Sequence, residues 1–230
     1  MNIKRINMIL IGLATFLIII IVVMQVQDLS SKGVMVVKYS HDSARDSLHN
    51  KTALKFKRIV ETQTEGKIQV EVYPEGELGS GSRMFKAVEK GIQEIALLPT
   101  ATISREEPSL EILDLPYLFQ DRESAYKILD GKIGDEILSS IKSNNIIGVQ
   151  FYEDGFKKFT SNKPINKVED FKDLKFRIMP SKILLEQYKC LGAQGIEVDF
   201  NNTYRFLESN ILDGQENPLI SIEDMNYKKV

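Results

Sequence analysis

The sequence predicts an α/β protein arranged in two lobes, and three features carry that expectation. Between residues 34 and 98, short β-branched runs alternate with stretches of helical apolar spacing. The same alternation resumes after residue 157, and Asp154-Gly155 between the two series is a turn signal. Strands that alternate with helices favour a parallel sheet covered by those helices. The expected division is 1–33 as an export segment, 34–154 as a first lobe and 155–230 as a second.

Residues 8–24 are an uncharged run of Leu, Ile, Val, Phe and Met, preceded by Lys4 and Arg5 and followed by Gln25, Gln27 and Asp28. A basic flank, an apolar core and a polar exit make an export signal whose amino end stays in the cytoplasm. The run is near the lower limit for crossing a bilayer, and no A-x-A-like cleavage site follows it. An uncleaved anchor is therefore expected in preference to a cleaved peptide.

Within the first lobe, 34–40 (VMVVKYS) reads as a strand. Leu48, Thr52, Phe56, Ile59 and Val60 have helical spacing, with Gly66 beyond the end. Ile68, Val70 and Val72 alternate with polar residues as a half-buried strand does. Gly76, Gly79 and Gly81 form a loose strand-to-helix turn, since neither a P-loop ending nor a dinucleotide fingerprint is present. Met84, Ala87 and Val88 mark a helix ending near Gly91, and 92–98 a strand stopped by Pro99. Pro116 makes 112–119 a packed turn, Asp121 caps a helix through Leu129, and Ile133, Ile137, Leu138 and Ile141 line another. Residues 146–152 read as a further strand.

In the second lobe, 157–161 leads into the Pro164 loop, and Leu174, Phe176 and Ile178 alternate with Lys175, Arg177 and Met179. A helix follows Ser181 and closes at Gly192, 196–200 reads as a strand, and Asn201 or Asn202 caps a last helix ending near Asn210. Residues 213–218 (DGQENP) suit an Asn-Pro turn, and no terminal helix is evident beyond them.

Composition narrows the chemistry. The 230 residues include 30 basic and 32 acidic side chains, a net charge of −2. A nucleic-acid partner, which calls for a basic surface, is not expected. Without residues 1–33 the counts become 27 and 31, a net of −4. One cysteine and two histidines supply neither a disulfide nor a thiolate or polyhistidine metal cage. Cys190 is expected to be a small buried apolar residue. With no nucleophile elbow, acid pair or cofactor loop, the expectation is a protein that is not an enzyme and needs no cofactor.

Arg177 is the most informative polar residue. It lies opposite the apolar face of its strand, near the strand end and just ahead of Pro180-Ser181 and a helix start. Ligands of open α/β sheets sit outside the carboxyl ends of strands. A guanidinium there can grip a carboxylate through two parallel hydrogen bonds, although an exposed arginine on an edge strand fits the spacing too. Asn217 offers an amide able to donate and accept, and Lys157 lies at the expected crossing between lobes. A plain turn and an exposed lysine are the competing accounts of those two.

The stretches VVKYSH, KIQVEVYPEGELG, DLPYLF, DGFKKFTSN, DLKFRIMPSK, LGA and LDGQENP follow one another from residue 36 to 218. In this order they resemble the DctP family of TRAP-transporter solute-binding proteins, especially its C4-dicarboxylate-binding branch. The resemblance spans about residues 34–230. It implies a hinged, two-lobed fold like that of type II periplasmic binding proteins, closing over an organic acid and delivering it to TRAP permease subunits in the membrane. It implies ligand contacts for Arg177, Asn217 and Lys157, and for the Ser40-His41 pair at the first strand end. Family members run further than 230 residues, so the resemblance also implies a fold incomplete at its C-terminal side. A membrane-tethered sensor lobe and a non-functional shortened binding protein are the alternatives to transport.

Overall fold

The structure, a computed structural model, describes residues 33–141 and 145–230. The expected export anchor therefore lies outside the described residues, except for Gly33. Among those described, no helix is long and apolar enough to cross a membrane.

The first sheet is parallel, in the order β2-β1-β3, with β1 at Met35–Ser40, β2 at Ile68–Tyr73 and β3 at Ile95–Ala96. Helix α1 (Leu48–Gln63) links β1 to β2; Ser47 caps it by accepting from the Asn50 amide at 3.2 Å. Gly66 takes the left-handed turn (φ 76°) that returns the chain to the sheet. Helix α2 (Gly81–Glu89) leads to β3, which is much shorter than the expected 92–98 strand. Gln93 explains part of that: its buried amide donates to Ser40 Oγ at 2.8 Å and to the Met84 carbonyl at 3.1 Å, holding the approach to β3 as a loop.

A short helix α3 (Thr100–Ile103) and a 3₁₀ turn (Pro108–Asp114) precede α4 (Arg122–Leu129) and α5 (Lys132–Ser139). Asp121 and Ser124 close a reciprocal capping box on α4. The strand expected at 146–152 is not formed. Ile146 and Phe151 pack with Phe85, Ile103 and Leu110, yet Ile147 and Val149 are 85% and 87% exposed and the segment joins no ladder. A strand needs a neighbour for its backbone groups, and this segment has none in either sheet.

The second sheet runs β4-β7-β5-β6: β4 at Lys157–Ser161, β5 at Lys175–Ile178, β6 at Gln194–Glu197 and β7 at Gly214–Pro218. β7 is an interior strand, antiparallel to β4 and parallel to β5, where the sequence suggested a turn. Gly214 makes it possible, since a Cβ there would lie 2.5 Å from both the Phe176 ring and the Thr160 carbonyl. Asp213 secures the entry: its backbone amide donates to the Lys175 carbonyl at 2.7 Å and its carboxylate accepts from the Lys175 amide at 2.9 Å.

Helix α6 (Lys182–Cys190) covers one face, stacking Tyr188 on Phe176 at 5.0 Å in a core with Phe171, Leu174, Ile178 and Leu184. Ala101 of α3 enters the same core, joining the first half of the chain to the second sheet. Cys190, expected inside, is exposed at the end of α6. β6 begins earlier than expected, and it also ends earlier because the chain turns into a 3₁₀ segment at Phe200–Asn202. Neither asparagine caps α7 (Thr203–Glu208) through its side chain; Asn201 instead donates to the Glu75 carbonyl at 2.7 Å. After β7 come a short helix α8 (Leu219–Asp224) and a 3₁₀ turn carrying the buried Tyr227.

Candidate functional site

Residues directly opposed on neighbouring strands share a face, and successive residues alternate between faces. Arg177 opposes Gln215, Gln215 opposes Thr160, and Asn217 opposes Lys158. Arg177, Gln215 and Asn217 therefore lie on one face, at the edge where β5 and β7 end. Their amides are organised: Asn217 Nδ2 donates to Gln215 Oε1 in a close contact, and Gln215 Nε2 donates to Thr160 Oγ1 at 2.7 Å.

Arg177 is 3% exposed. Its Nε donates to the Val198 carbonyl at 2.9 Å, and its guanidinium carbon sits 5.7 Å from the Phe200 ring centroid. Nε is thereby spent on holding the group in place. The two Nη nitrogens make no hydrogen bond among the described residues, and the Nε bond holds the fork in one direction. Burial lowers its proton affinity, while Tyr227, Asp42, Glu216 and Asp199 act in the opposite sense. A guanidinium stays cationic through such a shift.

Lys157 takes the opposite face. Its Nζ donates to Glu216 Oε1 at 2.8 Å, and Gln187 of α6 donates to Glu216 Oε2 at 3.2 Å. Lys157 starts β4 beside the end of β7, so it shares the strand-end edge with Arg177 and Asn217 but not their face. Burial and the neighbouring Glu216 carboxylate both push the Tyr188 phenol upward, keeping it neutral.

The first-sheet candidates are less open. Ser40 is fully buried, and its hydroxyl accepts from Gln93. His41, also fully buried, faces Asn50 Oδ1 through Nε2 at 3.2 Å, and burial lowers its pKa so that it is neutral at pH 7. Asp42, which sequence reading passed over, is within electrostatic reach of Arg177; burial raises its pKa and the guanidinium pulls it back. Gln215 and Glu216 were also passed over as single residues. Their signal was a dense polar run, which is rare in a buried strand and common in a turn.

Bacterial extracellular solute-binding protein, family 7, matches residues 39–230. The C4-dicarboxylate-binding periplasmic protein DctP of Rhodobacter capsulatus is 35% identical over 80% of this chain and 56% of its own length. The C4-dicarboxylate-binding protein DctB of Bacillus subtilis is 34% identical over 85% of this chain and 56% of its own length. A TRAP periplasmic solute-binding protein of Sulfurospirillum deleyianum with bound succinate superposes with a TM-score of 0.82 at 30% identity, over 86% of this chain and 64% of that one. The sugar-acid-binding protein DctPAm of Advenella mimigardefordensis with galactonate gives 0.81 at 30%, over 84% and 63%. The chain thus spans little more than half the length of these curated relatives. These relatives are solute-binding proteins, not enzymes. Because the match begins at the end of β1 and runs through both sheets, the chain belongs to the bacterial extracellular solute-binding protein family 7.

Proposed function

We propose that this chain is the extracytoplasmic solute-binding component of a TRAP transporter and that it binds C4-dicarboxylates of the succinate, fumarate and malate type. In this reading residues 1–33 tether it to the membrane, 34–154 and 155–230 are its two lobes, and it hands its ligand to the permease subunits. The observation that carries the reading is the buried, oriented Arg177 fork beside the Gln215–Asn217 amides at the strand-end edge. One ligand carboxylate would pair with that fork and Asn217. The other would lie toward Lys157, competing with Glu216 for its ammonium group. The names of the two curated relatives support dicarboxylates over sugar acids. The galactonate-bound neighbour makes sugar acids the necessary comparison.

The test is titration calorimetry on the full chain in detergent, with succinate, fumarate, L-malate and galactonate. Dicarboxylates are expected to bind at least tenfold more tightly than galactonate. Arg177→Ala should weaken binding by about a hundredfold, since a buried charged pair loses about 2–5 kcal/mol on truncation. Arg177→Lys keeps the charge but not the fork and should fall between. Stronger binding of galactonate would overturn the dicarboxylate assignment, and undiminished binding by Arg177→Ala would overturn the site.

A further inference from the structure

We infer that Asp114 is a positioning residue for the Arg177 site, acting through Ser181; the inference rests on the organic-acid reading above and deepens it. Asp114 ends the 3₁₀ turn that follows α3, on the first-sheet side of the chain, and is buried. Its Oδ2 accepts from Ser181 Oγ at 2.6 Å, and Ser181 is fully buried. Ser181 is also the N-cap of α6, where the same Oγ accepts from the Leu184 amide. One hydroxyl therefore fastens three parts together: the 3₁₀ turn, the first turn of α6, and the three-residue link from β5.

That link matters because Arg177 lies on β5 only four residues before Ser181. The guanidinium direction depends on where the end of β5 is held, and the Asp114–Ser181 bond holds it from the opposite half of the chain. Among the described residues, other polar contacts across the same seam are Arg83–Asp199, Arg105–Glu197, Lys182–Glu111 and Asn201 to the Glu75 carbonyl. Those are made at exposed or half-buried positions where water can replace either partner, so each constrains little. Asp114–Ser181 is the buried one, and a buried hydrogen bond with a charged acceptor is both stronger and more directional. Burial raises the Asp114 pKa, and the Ser181 hydroxyl, the Lys157 ammonium and the Ser104 hydroxyl act in the opposite sense, so the same residue senses the second cation of the site.

The experiment measures succinate and galactonate affinity, with ligand-free melting temperature, for the full chain and four variants. Asp114→Ala and Ser181→Ala should each weaken binding about tenfold, the size of one buried charge-assisted hydrogen bond. The double variant should be no weaker than the worse single, because both remove the same bond. Asp114→Asn, which still accepts from Ser181, should restore affinity to within about threefold of the parent. Glu197→Gln, on the exposed seam, should leave affinity unchanged. A loss with Glu197→Gln as large as with Asp114→Ala overturns the inference, because any seam contact would then serve. So does a lower melting temperature in Asp114→Ala and Ser181→Ala with affinity intact. Should Asp114→Ala not fold, Ser181→Ala against Asp114→Asn decides the matter. A parent chain that binds neither acid overturns the organic-acid reading and the inference with it. A parent that binds while both alanine variants bind as tightly overturns the inference alone.

Discussion

At the scale of single residues, the second sheet depends on what stands in β7. Gly214 sits where a methyl group would collide with an aromatic ring on one side and a backbone carbonyl on the other. Neither can move without disturbing the stacked Phe176–Tyr188 pair or the β4 ladder. Gly214→Ala should therefore destabilise the chain by about 1–3 kcal/mol, the usual cost of forcing extra volume into a packed interior. A urea melt checks this, and a midpoint unchanged from the parent would mean that β7 is less tightly seated than described. At this same scale the sequence was only partly legible. Arg177 could be singled out because it stands opposite the apolar face at a strand end, just ahead of a helix start, although an exposed arginine fits that spacing too. Glu216 could not, because its partners Lys157 and Gln187 are 59 and 29 residues away. Nothing local announces that a charged residue will be buried when its counter-charge arrives from another strand.

At the scale of elements, the longer helices were readable, while the short helices α3 and α8, the latter where no terminal helix was expected, and several strands were not, for a physical reason. α1, α4 and α6 carry their own start signals in Ser47, Asp121 and Ser181, and each cap acts within three residues. A strand is completed by a neighbour that sequence does not specify, which is why 146–152 failed as a strand and 214–218 succeeded as one. The chain between the sheets is fixed by side chains instead: His49 of α1 reaches Asp154 at 3.1 Å, and Arg122 reaches Glu153 at 2.7 Å. The Asp154 carboxylate raises the pKa of His49 above the ordinary value of about 6.5. Its contribution is then complete below that pH and is lost as pH rises through the raised folded value. His41 works in the other direction: burial lowers its pKa, so the folded state is penalised as pH falls below about 6.5. Melting temperatures between pH 5 and 8 should separate the two. His49→Gln should make the chain lose stability more steeply on acidification, by no more than about 1 kcal/mol given the half-exposed Asp154. His41→Gln should do the reverse, and parallel pH profiles for the two variants would contradict both assignments.

At the scale of the whole molecule, the decisive feature is that neither sheet is self-contained. Ala101 belongs by chain position to the first sheet and by packing to the core of the second. Asp114 reaches across to Ser181, and the link at 152–154 is held to α1 and α4. Pulling the sheets apart would expose Ala101 and break the buried Asp114–Ser181 hydrogen bond, which together disfavour any state with only one half folded. The two halves are therefore expected to unfold together. The chain has no tryptophan, so single reporters can be placed on a silent background. Phe56 on α1 and Phe159 on β4 are suitable, since both are partly exposed and each packs edge-on against aromatic rings of its own half, Phe56 against Tyr39 and Phe159 against Phe171, Phe176 and Tyr188. Phe56→Trp and Phe159→Trp, each unfolded in urea and followed by fluorescence, should give the same midpoint as circular dichroism of the same variant, the signature of a single cooperative transition. Asp114→Ala added to each reporter should then pull the two fluorescence midpoints apart, because it cuts the buried tie while leaving both sheets intact. Separate midpoints before that change would show that the seam holds the halves in register without coupling their stability.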